Sequence, residues 1–161
     1  MSRRLIAAGL LLASLTSCGG ASSDARFEAQ GGWARPTPAT ATTAVVYLTV
    51  TSDVDDELTG AEVDATVAET ISLHATTIGG ESGALHDHSG DGADDVASMQ
   101  EMGSFPLRGG ETLAFEPGGN HLMLENLARP LSVGEQFDVE LLFASGRTLR
   151  VDVTVGDNPP S

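Results

Sequence analysis

The sequence predicts an all-β domain, a β-sandwich or small barrel. Three observations carry that reading. Short runs rich in β-branched and aromatic residues alternate apolar and polar side chains, Gly and Pro clusters separate them, and helical periodicity is missing from the body of the chain. At 161 residues there is room for one ordinary domain. Without a targeting segment and short tails, roughly 130 residues remain, enough to bury a single core.

The start has the form of an export signal. Arg3 and Arg4 make a positive n-region, Leu5 to Leu15 a short apolar h-region, and small residues follow. The apolar run is too short for a stable membrane span. It ends in Leu15-Thr16-Ser17-Cys18, which resembles the lipobox of bacterial lipoproteins, where a small residue precedes a cysteine that is lipidated. Residues 1–17 are therefore expected to be a signal peptide and Cys18 the lipidated N-terminus. Residues 18–27 follow as a flexible tether, 28–156 as the β-domain and 157–161 as a tail. The expected location is the outer face of a cytoplasmic membrane, in the periplasm or at the cell surface, with the membrane touched only through the lipid.

Cys18 is the only cysteine. Spent on lipidation, it leaves no disulfide, so the fold rests on its core, and no thiolate to ligate a metal. That excludes blue-copper electron-transfer sites, which need one. The formal charge is -15, the chain has no lysine, and cleavage removing Arg3 and Arg4 takes it to -17. Such a surface repels nucleic acid and anionic lipid headgroups.

The elements follow in order. Gly32-Trp33-Ala34-Arg35-Pro36-Thr37-Pro38 is extended or turn-like because of its prolines. Ala44 to Val50 is a strand rich in Val with Tyr47. Ser52 to Glu57 is an acidic loop. Glu69 to His74 alternates cleanly, with Ile71 and Leu73 on one face and Thr70, Ser72 and His74 on the other. Ile78 to Ser98 breaks the pattern as a long Gly/Asp/Ser-rich loop holding His86 and His88. Strands resume beyond Met99: a turn over Pro106 to Glu111, then a strand over Thr112 to Phe115. Phe137 to Phe143 and Thr148 to Val155 form two further alternating strands joined by Ser145-Gly146.

The stretch Glu116-Pro117-Gly118-Gly119-Asn120-His121-Leu122-Met123-Leu124 organises the rest. Pro117-Gly118-Gly119 is turn chemistry. In the strand that follows, His121 and Met123 share one face and Leu122 and Leu124 the other. With the leucines in a core, an imidazole and a thioether stand together beside a loop, a pairing suited to Cu(I). A Met in a β-protein is commonly core filling and a strand His commonly a surface residue. What sets His74, His121 and Met123 apart is their common placement on polar faces.

These residues resemble the PCuAC family, extracytoplasmic copper chaperones linked to assembly of the dinuclear CuA centre of cytochrome c oxidase. The family pattern is a His on one strand, then a Met, twenty-one residues, and His-x-Met. Here His74 is the first, Met99 is followed by the twenty-one residues Gln100 to Asn120, and His121-Leu122-Met123 closes the pattern. Trp33-Ala34-Arg35, the Tyr47 strand and the Pro117-Gly118-Gly119 turn match family landmarks, so the resemblance runs from about Trp33 to Val155. It implies a cupredoxin-like β-sandwich or Greek-key barrel and a Cu(I) site of His74, Met99, His121 and Met123. It also implies a monomer that hands copper to an acceptor such as cytochrome c oxidase subunit II or a thiol copper-assembly protein. One departure is the twenty-four residues between His74 and Met99, longer than the family's gap because of an inserted loop at about 79–98. Met102 lies near enough to substitute for Met99.

The donor set is chemically coherent: two thioethers and two neutral imidazoles add no charge, and soft sulfur favours Cu(I) over harder ions. His86 and His88 in the acidic loop suit Cu(II) or Zn, or are incidental to a solvated loop. The register starting at Asp87 resembles a calcium-binding hand, but Ser98 stands where a bidentate Glu is required. No nucleophile–base pair or paired carboxylates mark an enzyme. Two other readings stay open: a lipoprotein buffering copper or zinc through its loop histidines, and a structural or adhesive β-sandwich without metal.

Overall fold

The computed structural model describes residues 25–78 and 97–160. The signal segment, Cys18 and the His86/His88 loop lie outside them. Ten strands make up the described fold: β1 (Phe27–Ala34), β2 (Thr43–Ser52), β3 (Asp56–Val63), β4 (Ala68–Ile78), β5 (Ala97–Glu101), β6 (Phe105–Leu107), β7 (Thr112–Phe115), β8 (Asn120–Leu127), β9 (Gln136–Phe143) and β10 (Thr148–Val155).

Hydrogen bonds link nine of them in the order β5-β4-β8-β2-β1-β10-β9-β3-β6, with β7 paired to β2. β2 serves two partners along one edge. Its first half, Thr43 to Val46, pairs β8, and its second half, Leu48 to Thr51, pairs β7. β1 pairs β2 antiparallel and β10 parallel, through Trp33–Thr154 and Ala34–Val155, and so joins the two halves of the sheet.

The all-β class and the cupredoxin-like strand topology agree with expectation, but the Greek-key barrel does not. The sheet is open, with β5 and β6 at its two ends and no ladder between them. Only Met102, Gly103 and Ser104 separate these strands, a link that reaches at most roughly 14 Å fully extended. The sheet therefore curls until its ends approach without closing. Closure needs a hydrogen-bonding edge on both end strands. β6 has three residues, and its central Pro106 has no N–H to donate. Strand counting from sequence does not show whether the last edge is satisfied.

Alternation fills the core. Val46 and Leu48 of β2, Leu73 of β4 and Leu122 and Leu124 of β8 are buried in one cluster with Leu58 of β3, Leu141 of β9 and Val153 of β10. Each fully buried Leu or Val contributes about 1.5–3 kcal/mol from water exclusion. The reverse faces of β2, β8 and β4 carry Val45 and Tyr47, His121 and Met123, and Ser72 and His74. That reverse face is where the candidate site lies.

β1 is an element the sequence did not reveal. It carries a bulge between Gln30 and Trp33, at Gly31-Gly32. Gly31 has φ +66°, and a side chain on Gly32 would lie 2.4 Å from the Asp152 carbonyl oxygen. The backbones of β1 and β10 are that close because residue 32 has no Cβ.

Candidate metal centre

The turn before β8 forms as its residues dictate. Gly119 N–H donates to the Glu116 carbonyl (3.0 Å), and Gly118 takes φ +83° at the third position, the geometry of a type II turn with Pro117 second. This launches β8 with Leu122 and Leu124 fully buried and His121 and Met123 on the opposite face.

Cross-strand register then assembles the site. His121 of β8 lies opposite His74 of β4, and Met123 opposite Ser72. The two imidazoles stack with centroids 5.6 Å apart and planes 23° from parallel. Residues 74 and 121 are forty-seven positions apart in the chain, and the β4–β8 ladder makes them neighbours.

His121 is only 4 % exposed. Its Nδ1 lies 3.0 Å from the Gly119 carbonyl oxygen, which can only accept, so Nδ1 carries the proton and donates. In the neutral ring the lone pair is then on Nε2, which is buried and without a hydrogen-bond partner. His74 has the same character at Nδ1, buried and unpartnered, while its Nε2 lies 3.0 Å from Ser72 Oγ. Buried polar nitrogens are normally satisfied, so two orphans on stacked rings need an explanation. Lone pairs kept for a metal ion supply one.

Met123, half-buried, stands beside this pair on the same face of β8. Met99 is placed differently. It lies on β5 opposite Thr76, while Glu101 faces His74. Met99 therefore sits diagonally from His74 on the side away from Met123, two strands and four positions off, roughly 16 Å from Met123 by ideal sheet spacing. It is 58 % exposed. Met102 packs against the core on the other face. The described structure thus gathers His74, His121 and Met123 and leaves Met99 at the sheet's edge. Among the described residues no three His, Cys, Asp or Glu side chains gather as a metal site.

On the far side of His121, Tyr47 follows the Val46–Leu122 pair along β2, and Trp33 of β1 lies opposite Tyr47. Their rings are 5.0 Å apart, and Arg35 covers Trp33 at 5.8 Å. Two polar residues that sequence reasoning did not single out also belong to the site. Ser72 Oγ donates to Glu125 Oε1 at 2.9 Å, and Ser72 is the residue that contacts His74. Alternation puts Ser72 and Glu125 on the correct faces, but only the register shows that they meet.

Comparison with known proteins places the chain. Residues 27–155 match the family described as "Putative lipoprotein LpqE-like". The chain belongs to this LpqE-like family. A curated relative, "Putative lipoprotein Lxx21020" of Leifsonia xyli subsp. xyli, is 44 % identical over 61 residues, a match spanning 37 % of this chain and 37 % of that protein. Membership in a lipoprotein family agrees with export and lipid anchoring. The LpqE-like fold is also that of PCuAC domains, as the sequence resemblance implied. The copper-bound PCuAC domain from PmoF2 superposes with TM-score 0.59 at 18 % identity, covering 82 % of this chain and 93 % of that domain. DR1885 in its Cu(I) form, from Deinococcus radiodurans, is 33 % identical with TM-score 0.53, covering 80 % of this chain and 76 % of that one. Its apo form is 28 % identical over 98 % of this chain, with TM-score 0.56.

Proposed function

We propose that this LpqE-like lipoprotein is a Cu(I) carrier, held by lipid on Cys18 at the outer face of the cytoplasmic membrane, that passes copper towards the CuA centre of cytochrome c oxidase. The observation that supports it most is the pair of buried, unpartnered imidazole nitrogens, His74 Nδ1 and His121 Nε2, beside the thioether of Met123. Neutral nitrogen and thioether donors without thiolate favour Cu(I) and bind it less tightly than thiolates do. Release to a thiolate-rich acceptor, such as subunit II or a thiol copper-assembly protein, is then downhill. The reading involves no catalysis and a monomeric carrier. Met99, exposed at the edge strand, plays the smaller part.

The test is Cu(I) competition against a chelator under reducing conditions, with the detergent-solubilised full chain. The expected result is one Cu(I) per chain, a loss of about tenfold or more in Met123→Ala, a smaller loss in Met99→Ala, and little change in His86→Ala/His88→Ala. Binding that depends on His86 and His88 alone replaces the carrier with a Cu(II)- or Zn-buffering lipoprotein. Absence of binding leaves a structural β-protein.

A further inference from the structure

We infer that Ser72 and Glu125 are positioning residues that fix which nitrogen of His74 is offered to the metal. The inference deepens the carrier reading and rests on it for its consequence, though not for its geometry. Glu125 Oε1 accepts the Ser72 hydroxyl at 2.9 Å. A carboxylate has no proton to return, so the single hydroxyl hydrogen of Ser72 is committed to that bond. Ser72 Oγ can then meet His74 Nε2, 3.0 Å away, only as acceptor. The proton of neutral His74 is thereby set on Nε2, and the lone pair on Nδ1, the nitrogen left buried and unpartnered.

His121 reaches the complementary state by a separate device, its Nδ1–H donating to the Gly119 carbonyl. Both devices end in a one-way acceptor, the Glu125 carboxylate through Ser72 for His74 and the Gly119 carbonyl directly for His121, and both leave a bare nitrogen without another partner. The order of residues makes this economical: Ser72 and His74 are on one face of β4, and Met123 and Glu125 on the matching face of β8, with Ser72 directly opposite Met123. The same hydroxyl therefore bridges His74 and the carboxylate of Glu125, in the row that carries Met123.

Glu125→Gln tests the direction of these hydrogen bonds. An amide can accept through its oxygen or donate through its nitrogen. When it donates, Ser72 is freed to donate to His74 Nε2, which moves the imidazole proton to Nδ1 and blocks the ligand nitrogen. Outer-shell partners of this kind are typically worth about 10–100-fold in metal affinity.

The experiment reads the ring nitrogens of apo full-length protein in detergent by 15N NMR, at pH about 8, where an ordinary imidazole is neutral. Wild type is expected to show His74 protonated at Nε2 with its ring proton protected from exchange. Ser72→Ala loses that protection, Ser72→Thr, which keeps a hydroxyl, restores it, and Glu125→Gln gives a mixture of tautomers. Cu(I) affinity falls about 10–100-fold in Ser72→Ala and is largely regained in Ser72→Thr. A wild-type His74 protonated at Nδ1, or a ring proton equally exposed in wild type and Ser72→Ala, overturns the inference whether or not copper binds. The expected tautomers without Cu(I) binding in wild type overturn the carrier reading and leave the relay standing.

Discussion

A buried imidazole nitrogen without a partner is costly unless something uses it, and the described residues hold two, on the stacked rings of His74 and His121. How each is prepared was only partly legible in the sequence. The face of His121 followed from Leu122 and Leu124, and that of His74 from Ile71 and Leu73. Their stacking, and the Ser72–Glu125 contact, depend on register between strands some fifty residues apart, which no local pattern encodes. Met99 shows the converse. The twenty-one-residue count identifies it with a family position, yet the β4–β5 register sets it on the far diagonal from Met123. Glycine gives a residue-scale prediction. Gly32→Ala would drive a Cβ to 2.4 Å from the Asp152 carbonyl oxygen, backbone that cannot move without breaking the β1–β10 contact. We expect a loss of about 1–3 kcal/mol or more in chemical denaturation. Gly60→Ala meets only the Leu142 Cδ1 at 3.7 Å, an ordinary contact, and should be neutral or stabilising by up to about 1 kcal/mol.

At the scale of elements, strands with strict alternation were legible and those with interruptions were not. β9 and β10 follow the pattern without a break, and their ladder runs uninterrupted from Thr148–Leu142 to Thr154–Gln136. β1 hid behind its Gly-Gly bulge, and β6 behind Pro106. The connection between β3 and β4 is held by Asp64, whose carboxylate accepts from the Thr66 hydroxyl (2.6 Å) and the Thr66 amide (2.8 Å). Those two bonds, the hydroxyl first, hold its carboxyl below the ordinary value of 3.8. The folded carboxyl thus takes up a proton less readily than the unfolded one, and protonation favours unfolding. Its contribution is complete above 3.8 and lost as pH falls through the lower folded value. The difference in thermal midpoint between wild type and Asp64→Asn should therefore be largest near neutrality and shrink below pH about 4. A difference that stays constant to pH about 2 would remove the turn from the acid response.

Over the whole molecule, one curled sheet presents two surfaces with different work to do. The inner surface collects the leucines and valines of both halves into one cluster, while the outer surface of β4, β8 and β2 carries the imidazoles, Met123 and Tyr47. Because the sheet is open, no ring of hydrogen bonds ties its ends, and the two halves are held together by β1 and by that shared core. A substitution deep in the inner surface far from the site separates the two roles. Leu141 on β9 is fully buried and belongs to the same cluster as Leu122 on β8. Leu141→Ala should cost about 2–5 kcal/mol, the usual range for a buried Leu. The unfolding curve should remain a single transition, because the halves share that cluster. Cu(I) affinity of the folded variant should match wild type, since His74, His121 and Met123 stand on the opposite face of their strands. Two resolved transitions would show that the halves fold as separate units, with β1 a hinge between them. A fall in copper affinity alongside the stability loss would show that core packing on β9 reaches through the sheet to the imidazole pair.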